Sequence, residues 1–309
     1  MRNAIVSGYM SMVLCISRHT LTKGQLMLRY SVQLLIVFLL AIAGASVTKL
    51  HAADALPASE SPAPVLAPVP ASELVPAPVL VTAPIKPGHI LELQTAIGTT
   101  FNAYVTGAED AKRGVLIIHD RRGLGDYAKS WAERFAALGY RALVVDLYDG
   151  RYSTDPAGAT RIMTSIDQES ANANLKAGLS YLKAPERMLA TFGWDFGGAQ
   201  ALRAALQDPD AVAATVIYYG PMITDLKALR TLKGPVLGIF AKNDPWVSPL
   251  HVTGYQDAMR EAGVPFSAIN YNAGHGFTNP INRVYNQQLA DDAWQKTQVF
   301  LEERLTVVP

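Results

Sequence analysis

Met188-Leu189-Ala190-Thr191-Phe192-Gly193-Trp194-Asp195-Phe196-Gly197-Gly198 is the stretch whose reading decides the fold. Its first five residues read as a short buried strand, and Ala199 to Gln207 beyond it reads as a small-residue helix. A strand, a sharp glycine-rich turn and a helix are the parts of a nucleophile elbow, in which small neighbours hold one central side chain exposed above the sheet edge. Asp195 occupies that centre, where a serine or cysteine is usual. A Gly-x-x-x-Gly-Gly turn by itself often does no more than join a strand to a helix, so the surrounding pattern has to carry the reading.

That pattern alternates strand and helix from His89 onward. Ile90 to Thr95 and Thr99 to Val105 form an opening antiparallel pair. Strands then follow at Val115 to His119, Arg141 to Leu147, Met188 to Phe192, Ala214 to Tyr219, Pro235 to Ala241 and Phe266 to Tyr271. Helices are expected at Tyr127 to Leu138, as one long element from about Ala157 to Leu182, after the elbow, at His251 to Ala262 and from about Val284 to Leu305. Short apolar strands separated by helices predict an α/β protein, a mainly parallel sheet of about eight strands with helices on both faces.

Ligands of such a sheet sit at the carboxyl ends of its strands. Asp195, Asp244 and His275 each follow a predicted strand, in the chain order nucleophile, acid, histidine of the α/β-hydrolase triad. His275 lies in Ala273-Gly274-His275-Gly276-Phe277, which has too little side chain to bury an imidazole for packing alone. Asn243-Asp244-Pro245 is also ordinary turn chemistry, so only the triad spacing argues for a larger role of Asp244.

Outside this region the chain changes character. Val32 to Val47 is an apolar run preceded by Arg29 and followed by Ala53-Asp54-Ala55, the small-x-small form of a signal-peptidase site. Export is the expectation for residues 1–55, with an uncleaved membrane anchor as the alternative and Met27 as a second candidate start. Residues 56–87 hold nine of the 19 prolines among Ala, Val and Ser, a composition that closes no core and reads as a tether. The α/β domain is therefore expected over residues 88–309.

Cleavage after Ala55 would leave 22 basic and 25 acidic residues, a net charge of −3 that offers no nucleic-acid surface. The only cysteine, Cys15, would leave as well, and with it any disulfide or thiol nucleophile. Asp and His residues in this order fit no zinc signature, so neither metal nor cofactor is expected. The partner expected is a small-molecule substrate or ligand, with membrane contact only through an uncleaved N-terminal segment.

Taken together, Gly193 to Gly198, Asp244 with Val247, Ala273 to Phe277, Ala290-Asp291-Asp292-Ala293-Trp294, Val115 to Gly123, Gly139-Tyr140-Arg141-Ala142 and Asp146-Leu147-Tyr148 resemble the dienelactone hydrolases. The resemblance spans nearly all of residues 89–305. It implies an α/β-hydrolase fold, a nucleophile site at Asp195, Asp244 as the acid and His275 as the base. It also implies an oxyanion hole built from the backbone N–H groups of Phe196 and Arg121, with Asp120 as the acidic residue contacting the nucleophile. Two departures stand out: that family carries cysteine where this chain has Asp195, and a substrate-carboxylate arginine where this chain has Asn279. Asp120, Arg122, Trp194 and Asn279 are the remaining pocket candidates.

A carboxylate that attacks an ester carbonyl forms a reactive anhydride with little advantage, whereas attack on an sp³ carbon gives an alkyl ester that activated water can hydrolyse. Haloalkane dehalogenases and epoxide hydrolases of this fold use that chemistry. The former place a halide-gripping tryptophan after the nucleophile, where this chain has Phe196, and no epoxide-activating tyrosine pair is assignable here. His119-Asp120-Arg121-Arg122-Gly123 resembles the nucleophile stretch of fluoroacetate dehalogenases but lies two strand–helix units too early. Two readings therefore stand: an exported hydrolase of a small ester, lactone or activated alkyl compound, and a silent member of the fold that binds a ligand or partner.

Overall fold

A computed structural model describes residues 88–306. The signal or anchor segment of residues 1–55 and the proline-rich tether of residues 56–87 lie outside the described residues. Eight strands form one sheet: β1 (His89–Gln94), β2 (Thr100–Thr106), β3 (Arg113–Ile118), β4 (Tyr140–Val145), β5 (Met188–Trp194), β6 (Val212–Tyr218), β7 (Val236–Ala241) and β8 (Phe266–Tyr271). Seven helices are described: α1 (Asp126–Ala137), α2 (Pro156–Thr164), α3 (Gln168–Leu182), α4 (Phe196–Gln207), α5 (Leu226–Leu229), α6 (Pro249–Ala262) and α7 (Gln287–Arg304).

The spatial strand order is β1-β2-β4-β3-β5-β6-β7-β8. β2 runs antiparallel to both β1 and β4, and every pairing from β4 to β8 is parallel. Strand side chains alternate between faces with period two. Val115 and Ile117 of β3 accordingly join a core with Trp131 and Phe135 of α1 and with Ala293 and Leu301 of α7. Leu116 and Ile118 join a second core with Leu175 and Leu179 of α3 and with Ala201 and Ala205 of α4. Both faces are covered, so the parallel strands read as unbroken apolar runs. At the β6–β7 end, α6 closes a third cluster through Val252, Tyr255 and Met259.

One predicted element divides in two. The helix expected from Ala157 to Leu182 breaks at Ser165-Ile166-Asp167, because Asp167 adopts extended backbone and its carboxylate accepts the N–H of Ser170, restarting the chain as α3. Asp155 caps α2 in the same way through Gly158 N–H, ahead of Pro156 in the first turn. α5, which has only four residues, has no amphipathic period long enough to read from sequence.

The elbow depends on its glycines. A Cβ on Gly193 would lie 2.1 Å from the carbonyl oxygen of Gly197, and one on Gly197 would lie 2.3 Å from that of Ile118. α4 therefore approaches β3 and β5 as closely as backbone allows. Asp195, between strand and helix, takes φ 55° and ψ −125°, a conformation natural to glycine that costs an aspartate about 1–3 kcal/mol.

Candidate active site

Asp195, Asp244 and His275 follow β5, β7 and β8, and the parallel sheet carries all three to one edge. Asp195 stands at the N-cap of α4, where an aspartate ordinarily bonds a helix N–H; its side chain makes no cap bond. The strained backbone turns the carboxylate outward instead. Oδ1 lies 3.3 Å from His275 Nε2, and Oδ2 lies 3.6 Å from Arg121 Nε.

His275 Nδ1 is 2.7 Å from Asp244 Oδ2. The other carboxylate oxygen of Asp244 accepts the N–H groups of Trp246 and Val247 at 2.8 and 3.0 Å. The turn chemistry legible in Asn243-Asp244-Pro245 is thus what aims the second oxygen at the imidazole. Burial alone would raise the Asp244 carboxyl; the hydrogen bonds from His275, Val247 and Trp246 outweigh it and hold it below the usual carboxylate range.

Burial pulls in the opposite direction on His275, toward the neutral ring. The hydrogen bonds and charges of Asp195 and Asp244 overcome that pull and raise its pKa from 6.5 to about 9. The two carboxyl groups on either side of the ring thus favour its protonated form. The ring is walled by Tyr219 and Trp246, edge-on with centroids 5.1 and 4.7 Å away. Tyr219 is fixed by a 2.8 Å bond between its hydroxyl and Thr278 Oγ1. It also has φ 38°, so two of the four described non-glycine residues with positive φ flank the histidine. Such clustering of backbone strain is characteristic of functional sites.

Asp120 is buried in the loop after β3, where its Oδ1 accepts Arg122 N–H at 2.9 Å. Burial raises its proton affinity, the Arg122 N–H opposes that, and the charge of Asp195 raises it further. His119 beneath it is fully buried: Nε2 accepts Leu147 N–H at 3.1 Å, which leaves Nδ1 to donate to the carbonyl of Asp120 at 2.7 Å. Burial lowers that ring's proton affinity, and its two hydrogen bonds tie the β3 loop to the segment after β4. Phe196, the first residue of α4, stacks on His119 and tilts against Tyr148. Its N–H, like those of any first helical turn, has no intrahelical partner. Among the described residues, neither Phe196 N–H nor Arg121 N–H donates to a backbone acceptor outside regular elements.

The remaining candidates are engaged in packing, turns or loop backbone. Trp194 shares strand parity with Ala190 and Phe192, and is 2% exposed in the aromatic core beside Tyr127 and Trp131; counting by twos along β5 would have placed it there. Asn279 is 2% exposed and holds a turn, donating its N–H to Gly276 and accepting Ile281 N–H on its side chain. Arg122 contributes backbone to the loop, its carbonyl accepting Ser153 N–H. Trp246 was missed by the sequence reading. It is 58% exposed, lies under the Arg121 guanidinium at 5.3 Å and forms the outer wall of the site; its position two residues after Asp244 was the available signal. Among the described residues no cluster of His, Cys, Asp and Glu has the arrangement of a metal site. A hollow of about 530 Å³ lined by Lys183, Arg187, Asp208 and Lys233 lies at the opposite, amino end of β5 and β6. There Arg187 is spent on the carbonyls of Glu109, Ala111 and Leu182, and Lys183 on Asp208.

This sheet, with its elbow after β5 and an acid and histidine after β7 and β8, is that of an α/β-hydrolase. Residues 101–305 match the model of the dienelactone hydrolase family, and the chain belongs to that family as a hydrolase. Protein usf of Aquifex pyrophilus is 30% identical over 223 residues, covering 68% of this chain and 96% of that protein. A putative carboxymethylenebutenolidase of Saccharolobus solfataricus is 26% identical over 249 residues, covering 66% and 94%. Among solved structures, m3DLH superposes with a TM-score of 0.63 at 26% identity, covering 71% of this chain and 99% of its own. The dienelactone hydrolase-like promiscuous phosphotriesterase P91 from metagenomic libraries reaches 0.62 at 22% identity, covering 70% and 99%, a likeness of fold.

Proposed function

We propose that this hydrolase acts on a small ester, lactone or activated alkyl substrate through Asp195, and that the carboxylate favours attack on an sp³ carbon. The observation that carries the reading is the outward-turned carboxylate at the elbow, in contact with a histidine that a second carboxylate holds from behind. Attack by an oxygen of Asp195 would break the bond to the leaving group and leave an alkyl ester on the enzyme. Water would then add to the ester carbonyl, with the N–H groups of Phe196 and Arg121 as the candidate donors to the developing oxyanion.

Charge sets the order of these steps. While Asp195 is anionic, His275 keeps its proton; once Asp195 is esterified, one of the two charges that hold the proton is gone. The imidazole then releases it to solvent, to recover it when the carboxylate of Asp195 is free again, and becomes the base for water, oriented by Asp244. We further propose that the protein is exported, on the strength of the apolar run and the Ala53-Asp54-Ala55 site. A mature chain beginning at Leu56 in N-terminal sequencing supports cleavage, and an intact N-terminus in the membrane fraction supports the anchor.

The test of the site is hydrolysis of p-nitrophenyl acetate by the wild-type protein and by Asp195→Cys. Turnover by the cysteine variant alone, lost again on His275→Ala, supports an assembled base, acid and oxyanion hole whose nucleophile is specialised for another electrophile. Turnover by neither protein refutes the reading and leaves a ligand-binding member of the family. Turnover by the wild type at the rate of the variant refutes the preference for sp³ carbon.

A further inference from the structure

Asp195 has a second carboxyl group for a neighbour, and the mechanism above gives that group no task. Asp120 is 9% exposed, and its charge and that of Asp195 act on one another. Its Oδ1 is fixed by Arg122 N–H. Among the described residues Oδ2 has no hydrogen-bond partner, yet it is not one of the fully sealed unpaired polar atoms, so it keeps some access to solvent. Among the described residues the sealed hydroxyl of Tyr148 also has no partner, and Asp120 and Asp195 are the foremost charges acting on it. Unspent hydrogen-bonding capacity thus lies in the loop that Arg121 holds against Asp195 at 3.6 Å.

Burial raises the proton affinity of Asp120, and the charge of Asp195 raises it further, against the Arg122 N–H that lowers it. A neutral acid beside a nucleophile has a use for one kind of leaving group. A halide departs as a stable anion and needs no proton. An alkoxide is a strong base, and its departure is accelerated about 10²–10⁴-fold by a positioned acid.

We propose that Asp120 is the general acid of this site and that the substrate class is a small epoxide, whose ring oxygen takes the Asp120 proton as Asp195 attacks the ring carbon. The proposal rests on Asp195 being the nucleophile. In the first step an Asp195 oxygen forms a bond to carbon, the ring C–O bond breaks, and its electron pair takes up the proton from Asp120 Oδ2, giving a hydroxyalkyl ester and an Asp120 carboxylate. In the second, water adds to the ester carbonyl. One of its protons passes by way of His275 to the departing alkoxide and the other restores Asp120. The sum is epoxide plus water to vicinal diol, with no other reactant.

The test uses the full-length His275→Ala protein, in which the ester accumulates, with and without Asp120→Asn. Asparagine keeps an oxygen for the Arg122 N–H. Each protein is treated with 1,2-epoxybutane and with 1-bromobutane, and the rate of mass gain on the peptide holding Asp195 is read. We expect addition of the intact epoxide, and a fall of about 100-fold or more in the epoxide-to-bromide rate ratio on Asp120→Asn. Equal slowing of both reagents, or of neither, overturns the role of Asp120 while leaving Asp195 as nucleophile. No adduct on Asp195 from either reagent removes the nucleophile itself. A pH series on His275→Ala alone serves if Asp120→Asn does not fold: epoxide addition must fall with rising pH while bromide alkylation does not, and parallel profiles overturn the proposal.

Discussion

Replacing Asp195 with asparagine removes one negative charge from His275 and keeps an oxygen in its place, so it isolates the electrostatic part of the contact at 3.3 Å. Asp195 and Asp244 together raise the imidazole from 6.5 to about 9 against the opposing effect of burial, a displacement equivalent to about 3 kcal/mol. Asp244 remains in the variant at 2.7 Å, so only part of the elevation disappears. A drop of about one to two pH units in the His275 midpoint is expected. The folded value lies above the unfolded one, so the associated stability is complete below pH 6.5 and is lost as pH rises through about 9. In the variant that pH-dependent loss shrinks by about 1–3 kcal/mol. Imidazole NMR across the alkaline range reads the midpoint, and urea unfolding on either side of the window reads the stability. A wild-type midpoint near neutrality, or one that does not move in Asp195→Asn, refutes the two-carboxylate clamp and the charge-gated order of steps built on it.

Gly193→Ala places a methyl group 2.1 Å from the Gly197 carbonyl oxygen and should destabilise the protein by more than about 2 kcal/mol, a fall in Tm of about 4–8 °C by calorimetry. Thr278→Val strips the Tyr219 hydroxyl of its 2.8 Å partner beside the His275 ring; a loss of about 1–3 kcal/mol in denaturant unfolding is expected, and a change within error shows that the bridge adds nothing. In the Asp195→Cys background, Asp244→Asn should cut p-nitrophenyl acetate turnover about 10²–10⁴-fold by releasing His275 from its hydrogen bond, and unaltered kcat would separate Asp244 from the chemistry.

The sheet was legible because buried parallel strands leave unbroken apolar runs, and the positions of Asp195, Asp244 and His275 because each follows such a run. What sequence hid falls into two kinds. Local competition hid the break at Asp167, where a side-chain cap outweighed helical continuity across Ser165 and Ile166. Parity along β5 sends Trp194 into the core, although its place beside Asp195 suggested the pocket. The second kind is contact across distant segments. Arg121 offers its backbone N–H and, from the same loop as Asp120, a charge able to offset the carboxylates; its side chain does reach Asp195, and its span on to Trp246 is the contact that nothing near it in sequence announces. Asn279 looked like a substituted ligand; its amide instead completes a turn whose geometry depends on Gly276 at φ 76°.

A carboxylate at the elbow also changes what can poison the enzyme. A thiolate in that place climbs the oxidation ladder from sulfenic to sulfonic acid, whereas the aspartate has no rung on it. Cys15 is the only sulfhydryl in the chain and precedes the catalytic domain, so peroxide has no thiol there to find. The oxidisable sulfur left in the domain belongs to Met163, Met188, Met222 and Met259, of which the last two are buried among apolar neighbours. Oxidant strong enough to silence a cysteine hydrolase would therefore reach this protein through its packing before it altered the carboxylate at the elbow.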